Sequence, residues 1–174
     1  MAPTLTIKLD APLAWQASAG TTNTDGVLLL RVLALQEAAP PHLDEEDGPD
    51  ALRWQAMEAR LDLTLQLLGQ LLARGEPAPP ARTLELSGEG ARWQSTAPQA
   101  VGSEGLLALY LSPSIPQALQ LPARVTQCQE IAAGQWQIEV SFQHRDAELQ
   151  DWLEKTIFRR HRREVYERKH SHDT

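Results

Sequence analysis

The sequence has only one cysteine, Cys128, among its 174 residues. A single cysteine cannot form an internal disulfide or supply a cysteine-based zinc knuckle. The chain also lacks an uninterrupted run of about 18 apolar residues, the length that a membrane helix needs. Its opening residues, MAPTLTIKLD, do not have the basic stretch followed by an apolar stretch that marks a signal peptide. We therefore expect one soluble globular domain in the cytoplasm, without a membrane span.

Sequence motifs of common enzymes are missing as well. No P-loop lysine follows the glycines of LSGEGARW, and neither a GxSxG elbow nor an HExxH pair occurs. His170 and His172 lie in the C-terminal segment 170–174, which we expect to be disordered. We accordingly assign no catalytic residue, no metal site and no cofactor, and we predict that the protein is not an enzyme.

The charges are unevenly distributed along the chain. The formal net charge is -7, and residues 1–155 carry 10 basic and 20 acidic groups. Residues 156–174 carry 6 basic and 3 acidic groups, so a local positive patch follows an acidic body. Because the body is acidic and few aromatic residues interleave with the basic ones, we expect no nucleic-acid partner.

The first half of the chain divides into three segments. Residues 4–9 and 26–36 are short apolar or alternating runs that predict a pair of strands within an N-terminal extension, residues 1–37, with Asp25-Gly26 as a turn. Residues 38–49 contain three prolines and four carboxylates and predict a solvated connector. Residues 50–74 predict a long helix, with Asp50 as its N-cap and Gly75 after its last residue.

This predicted helix has two apolar sides. One side is a stripe at spacings of 7, 4, 3 and 4, formed by Trp54, Leu61, Leu65, Leu68 and Leu72. A second stripe, which includes Leu63, lies on roughly the opposite side. A helix with two apolar sides needs two partners, which leaves two interpretations open. Either the helix is sandwiched within its own domain, or the first stripe pairs with other copies of the chain as a coiled coil.

The second half of the chain predicts a mainly β, α+β domain. Five short strand-like runs follow one another without a helix between them, and Gly134 stands where the last two could form a hairpin. This pattern is typical of an antiparallel barrel or sandwich. Residues 146–169 then predict an amphipathic helix that closes the domain, residues 82–169.

The order of these elements, together with the six residues ELSGEG from Glu85 to Gly90, resembles a PilZ domain. The resemblance implies an antiparallel β-barrel with a C-terminal helix. The leading strands, the acidic connector and the heptad-bearing helix are similar to the atypical, tetramer-forming branch of the family. In that branch the added helix assembles the chains, so the resemblance implies a homotetramer.

The resemblance also implies a ligand, cyclic di-GMP, and residues that contact it. Ser87 would form hydrogen bonds to the ligand, and Gly90 would allow its close approach to the backbone. Glu85 occupies the position where the family has Asp or Asn, and its extra methylene displaces the carboxylate. Without the family context, Ser87 and Gly90 are equally typical of a simple strand-to-strand turn.

The arginine pair that PilZ receptors carry upstream, with the spacing RxxxR, is absent before Glu85. The same spacing occurs at Arg159 and Arg163 within the predicted C-terminal helix. On a helix these two side chains lie on one side, about one turn apart, where they could meet an anion or a protein partner. The simpler interpretation is a solvated helical face with Glu164 and Glu167 as ion-pair partners.

Two functions follow from the resemblance. The first is a non-enzymatic bacterial signalling adaptor that binds cyclic di-GMP and acts through an unidentified protein partner in motility, pili or biofilm control. The second is a degenerate PilZ domain that binds no nucleotide and serves as an oligomeric scaffold for protein interactions. The missing RxxxR pair favours the second, and the retained Ser87 and Gly90 keep the first open.

Overall fold

A computed structural model describes residues 5–17, 25–37, 79–113, 115, 117–143 and 146–170, together with nine positions between 53 and 68. The described residues form six strands and two helices, and the nine positions between 53 and 68 are also helical. In chain order these are β1 (Thr6–Gln16), α1 (Gly26–Glu37), β2 (Ala81–Ser87), β3 (Gly90–Ser95), β4 (Glu104–Leu109), β5 (Leu119–Ala132), β6 (Gln135–Phe142) and α2 (Ala147–His170).

The six strands form a closed antiparallel barrel in the order β1-β2-β3-β6-β5-β4. β1 closes the barrel because its two halves pair with different neighbours. From Thr6 to Pro12 it pairs with β2, and from Leu13 to Gln16 it pairs with β4. Pro12 therefore lies where the pairing changes, and its missing N–H costs the ladder little there.

Alternating apolar residues fill the barrel. Every second residue of β2, β3 and β6 points inward, for example Leu84 and Leu86 on β2 and Ile138 and Val140 on β6. This period of two is the pattern that the sequence shows for strands. The intervening residues, mostly charged or amide side chains, lie on the outer surface.

Both helices pack side by side on the barrel and contribute to the same core. Leu29, Leu30 and Leu33 of α1 are buried in one cluster with Leu153 and Ile157 of α2. The two helices run parallel, since the first residue of α1 lies against Leu149 near the start of α2 and the last residue of α1 meets the middle of α2.

The structure corrects one prediction about the N-terminal segment. Residues 26–36 were expected to form a strand, but Gly26–Glu37 is helical. The expected turn at Asp25 is the start of this helix, where Asp25 Oδ1 accepts a hydrogen bond from the Leu28 N–H at 3.0 Å. The run GVLLLRVLALQ is apolar almost throughout, so its periodicity does not distinguish a buried helix from a strand. The predicted strand pair is therefore wrong, and β1 belongs to the barrel itself.

The predicted strands and helix of residues 82–169 are confirmed, whereas the predicted connector of residues 38–49 and residues 171–174 of the predicted tail lie outside the described residues. The five runs in residues 82–143 are β2 to β6, Gly134 has the positive φ of 72° expected of a hairpin turn between β5 and β6, and residues 147–170 form the closing helix. The ends of the predicted 50–74 helix, including Asp50, lie outside the described residues. No helix within the described part of the chain is long and apolar enough to cross a membrane.

Candidate functional site

The β2–β3 hairpin carries the Ser87 motif, and its side chain closes the loop. Ser87 Oγ accepts hydrogen bonds from the N–H groups of Gly90 at 3.1 Å and Glu89 at 3.3 Å. The same hydroxyl lies 3.1 Å from the Gly90 carbonyl oxygen, to which it can donate. These are the bonds of a serine turn, in which the hydroxyl replaces a backbone group. The serine hydroxyl thus closes the loop through bonds within the chain.

The two glycines of this loop are required by close packing. A Cβ on Gly90 would lie 2.3 Å from the carbonyl oxygen of Val140 on β6. A Cβ on Gly88 would lie 2.7 Å from Cγ of Glu154 on α2. Gly90 is therefore needed for the barrel, and Gly88 lies against the side chain of Glu154 in the first half of α2.

A transverse row of alternating charges crosses the outer face of four strands. Lys8 is opposite Glu85, Glu85 is opposite Arg92, and Arg92 is opposite Glu139. Arg92 Nη2 lies 2.9 Å from Glu139 Oε2, and Arg92 Nη1 lies 3.4 Å from Glu85 Oε2. Opposite charges directly across antiparallel strands attract each other. Glu85, expected in the ligand motif, is thus a partner of Arg92.

A shallow pocket of about 420 Å³ lies beside the Ser87 loop and shares this row of charges. Among the described residues, its charged lining consists of the carboxylates of Glu85, Glu89 and Glu139 and the guanidinium of Arg92. The guanidinium already binds two of these carboxylates. Carboxylates therefore outnumber guanidinium groups among the described residues of this pocket.

The arginines of the C-terminal helix lie elsewhere. Arg163 donates from Nη2 to the carbonyl oxygen of Glu37, and Arg159 donates from Nη2 to Thr156 Oγ1 at 3.0 Å. Around the axis of α2, Arg159 and Arg163 are about 140° and 180° from Glu154, the residue that meets the Ser87 loop. The structure therefore places the two arginines on one side of α2, as expected, but does not bring them to Ser87. The expected ion pair with Glu164 is not formed by Arg163, since Glu164 binds Arg168.

One interaction near this region has no signal in the sequence. Arg160 donates from Nε to Glu37 Oε1 at 2.8 Å and from Nη2 to the Leu111 carbonyl oxygen at 2.8 Å. It joins the end of α1 to α2 and to the segment after β4. Arg160 and Glu37 are 123 residues apart, so no local pattern could have paired them.

The predicted assembly stripe is partly described. Residues 53, 54, 57, 58, 60, 61, 63, 64 and 68 are helical, as expected for residues 50–74. Trp54, Leu61 and Leu68, at spacings of 7, are between 49% and 64% exposed in the single chain. Leu65 and Leu72 lie outside the described residues. Large apolar side chains exposed at heptad spacing are typical of a helix that packs on another helix.

The described residues offer no candidate metal site. Among the residues that the structure describes, no three His, Cys, Asp or Glu side chains lie close enough together to hold a metal ion. Cys128 on β5 is half-buried, and its Sγ accepts a hydrogen bond from the Gln99 N–H at 3.3 Å.

Comparison with known proteins identifies the family. The model of the atypical PilZ domain, described as a cyclic di-GMP receptor, matches residues 29–170. A solved structure from Xanthomonas campestris, described as a pathogenic protein with a new tetrameric PilZ domain self-assembled through an unusual helical bundle, is 32% identical. The match covers 95% of this chain and 93% of that chain, with a TM-score of 0.78. No curated protein matches the sequence.

The chain therefore belongs to the atypical PilZ family, and the predicted resemblance is confirmed. The predicted fold, a PilZ-type β-barrel with a C-terminal helix, is confirmed as well. β1 lies before the residues that the family model matches, although it closes the barrel.

Proposed function

We propose that this protein is a non-enzymatic adaptor of the PilZ type that works as an oligomeric scaffold for protein partners and does not bind cyclic di-GMP at the Ser87 loop. The observation that carries this proposal is the charge at that loop. Among the described residues, three carboxylates and one guanidinium, on Arg92, line the pocket beside it, and the guanidinium is bound by two of the carboxylates. Two incoming phosphates would meet net negative charge.

The residues of the family motif also have structural roles in this chain. Ser87 and Gly90 satisfy the hairpin's own hydrogen bonds and its packing on β6. Glu85 neutralises Arg92 on the barrel surface. The retention of these residue types is thus explained by the fold, without a bound nucleotide.

We propose that the scaffold is a homotetramer assembled through the helix of residues 50–74. The exposed apolar stripe that includes Trp54, Leu61 and Leu68 supports this proposal. The similar protein from Xanthomonas campestris is described as a tetramer assembled through a helical bundle. By family resemblance we place the protein in the cytoplasm and its role in motility, pili or biofilm control.

Calorimetric titration of the full-length protein with cyclic di-GMP tests the proposal. We expect no heat and no thermal stabilisation at concentrations at which a genuine site would saturate. A saturable signal that Ser87→Ala removes would contradict it. The variant Arg159→Ala with Arg163→Ala serves as a control, because both arginines lie away from the loop. Any signal from a site at the loop should be unchanged in this variant.

A cyclic-di-GMP-responsive adaptor is the second candidate. It is favoured by the position of the Ser87 loop at the surface, beside a pocket of about 420 Å³ that contains one arginine. Glu89→Gln with Glu139→Gln would remove two of the three carboxylates. Binding by this variant but not by the natural protein would identify charge as the property that excludes the nucleotide.

A further inference from the structure

The outer side of α2, opposite the buried residues Leu153 and Ile157, carries a regular stripe with aromatic ends and a basic centre. Its spacings are 3, 4, 3 and 4, and its members are Trp152, Lys155, Arg159, Arg162 and Tyr166. In a helix, residues at these spacings lie in one row. Trp152 and Arg159 are half-buried, and the other three side chains are exposed.

A matching stripe lies on α1. Leu28, Arg31 and Leu35 follow one another at spacings of 3 and 4, and all three are exposed. The guanidinium carbon of Arg31 is 5.5 Å from the centre of the Trp152 ring. This contact joins the two stripes, which run parallel because the helices do. We refer to the two stripes together as the α1–α2 face.

Only two of the four basic side chains on this face are paired with described carboxylates. Arg31 pairs with Glu148, and Lys155 pairs with Asp151. Arg159 and Arg162, by contrast, form no ion pair with any carboxylate that the structure describes. Two unpaired guanidinium groups one turn apart attract an acidic partner.

The arginines hold their positions through uncharged neighbours. Arg159 bonds to the Thr156 hydroxyl, while its buried Nε has no partner among the described residues. Arg162 lies over the Phe158 ring, 5.9 Å from its centre. Both guanidinium groups are therefore held in position, and neither charge is neutralised by a described carboxylate.

Large apolar side chains are exposed on the same face as the arginines. Leu28, Leu35 and Tyr166 are between 57% and 77% exposed. Arginine and aromatic residues are enriched among the residues that dominate protein binding, and exposed apolar patches mark interaction sites. Two parallel helices also leave a valley between them into which a third helix can pack.

We propose that the α1–α2 face binds an amphipathic helix of a protein partner, with leucine-like residues along one stripe and Asp or Glu on both flanks. The apolar stripe would pack on Leu28, Leu35 and Tyr166, and the acidic flanks would pair with Arg159 and Arg162. This proposal rests on the proposed function as a scaffold, since it defines the kind of partner that the scaffold binds.

Two segments of the chain itself are poorer matches. The helix of residues 50–74 has three acidic and three basic side chains, so a second copy of it would bring no net negative charge to the face. The connector of residues 38–49 is acidic, but its three prolines disfavour the helical conformation that the two stripes select. A partner helix with acidic flanks is therefore the occupant that satisfies both the charge and the spacing.

A synthetic probe tests this proposal on the full-length protein. The probe is a fluorescent helix about 18 residues long, or five turns, made of leucine, alanine and glutamate, with the leucines at spacings of 3 and 4. We expect saturable binding by fluorescence anisotropy that weakens as salt rises. Arg159→Gln with Arg162→Gln should weaken binding about tenfold, and Leu35→Ser should weaken it as well.

The matched control is Arg82→Gln with Arg124→Gln, which removes the same charge from the barrel and should leave the affinity unchanged. The proposal fails if this control weakens binding equally, or if a scrambled probe of the same composition binds as well. Vesicles containing phosphatidylglycerol provide another arm. If the probe does not bind but vesicles bind and need Arg159 and Arg162, the face binds membranes and the proposal is overturned.

The mass of the Leu35→Ser variant in light scattering provides the last arm. A changed mass would make the face an interface between copies of the chain and would also overturn the proposal. Nucleotide titration reports on the Ser87 loop and the probe reports on the α1–α2 face, so failure of one proposal is distinguishable from failure of the other.

Discussion

Arg160 of α2 and Glu37, the last residue of α1, form the least exposed ion pair among those described. Their closest atoms, Arg160 Nη2 and Glu37 Oε1, are 2.7 Å apart, and the side chains are 21% and 13% exposed. Arg163 adds a hydrogen bond to the Glu37 carbonyl oxygen, which satisfies a backbone group at the end of α1. The two arginines therefore fix the point at which the chain leaves the barrel towards the connector and the helix of residues 50–74.

We expect Arg160→Leu to lower the free energy of unfolding by about 2 kcal/mol, because it removes two charge-assisted hydrogen bonds and leaves the Glu37 carboxylate without its partner. Urea unfolding at a fixed protein concentration measures this change. Adding Glu37→Leu should restore part of the loss, because the orphaned carboxylate is removed as well.

Arg124→Leu is the matched control for this pair. Arg124 pairs with Glu104 at 2.5 Å, but both side chains are about half exposed. An exposed pair contributes less than about 1 kcal/mol. If the two variants lose the same free energy of unfolding, the Arg160–Glu37 pair stabilises the protein no more than an exposed pair does.

Substitutions in the Ser87 loop should reveal its structural use. Gly90→Ala forces the Val140 carbonyl to move, because the new Cβ would lie 2.3 Å from that oxygen, and we expect a loss of about 3 kcal/mol. Ser87→Ala removes the bonds that close the turn and should cost about 1 kcal/mol. Thermal unfolding without any nucleotide measures both.

Gly102→Ala helps to interpret these numbers. A Cβ there would meet open space, but the φ of +84° is strained for alanine, and we expect a loss of about 1 kcal/mol. If Gly90→Ala costs no more than Gly102→Ala, the close approach to β6 is relieved by a small shift, and the loop glycine is explained by something other than packing.

The start of α1 provides a further prediction. Asp25→Ala removes the acceptor for the Leu28 N–H and should destabilise the protein by about 1 kcal/mol, whereas Asp25→Asn keeps an acceptor and should be nearly neutral. Chemical unfolding of both variants measures the difference. Equal stability of the two variants would mean that the side chain does not cap this helix.

The second half of the fold could be predicted because each element there has a local signal. β6 alternates inward and outward residues, and Gly134 marks the hairpin before it. α1 had no such signal. Leu28, Leu29 and Leu30 are consecutive apolar residues, of which the last two are buried and the first is exposed, and only tertiary packing makes that distinction.

The sequence predicted a strand-to-strand turn at Ser87 and Gly90, and the structure has the β2–β3 hairpin there. The partners of Arg92 and Arg160 depend on strand register and helix packing between residues far apart in the sequence. The cluster of carboxylates at the pocket follows from that register, because Arg92 of β3 lies between Glu85 of β2 and Glu139 of β6.

The assembly stripe leads to the last prediction. Leu61→Asp with Leu68→Asp should dissociate the oligomer, because two charges would replace apolar side chains that the assembly buries. Light scattering measures the mass. In the sequence, Gln55 and Gln66 lie with Asp62 on a polar strip between the two apolar stripes of this helix. Gln55→Asp with Gln66→Asp adds the same charge to that strip and should leave the mass unchanged.

The exposed state of Leu61 and Leu68 in the single chain makes this comparison informative, since neither leucine is needed for the described barrel core. The double aspartate variant should therefore keep its barrel, which near-ultraviolet circular dichroism of Trp93 and the other tryptophans can report. A folded variant with the original mass would show that the stripe does not hold the chains together. A folded variant of lower mass would instead separate assembly from folding, and would provide a protomer on which the probe helix for the α1–α2 face can be titrated.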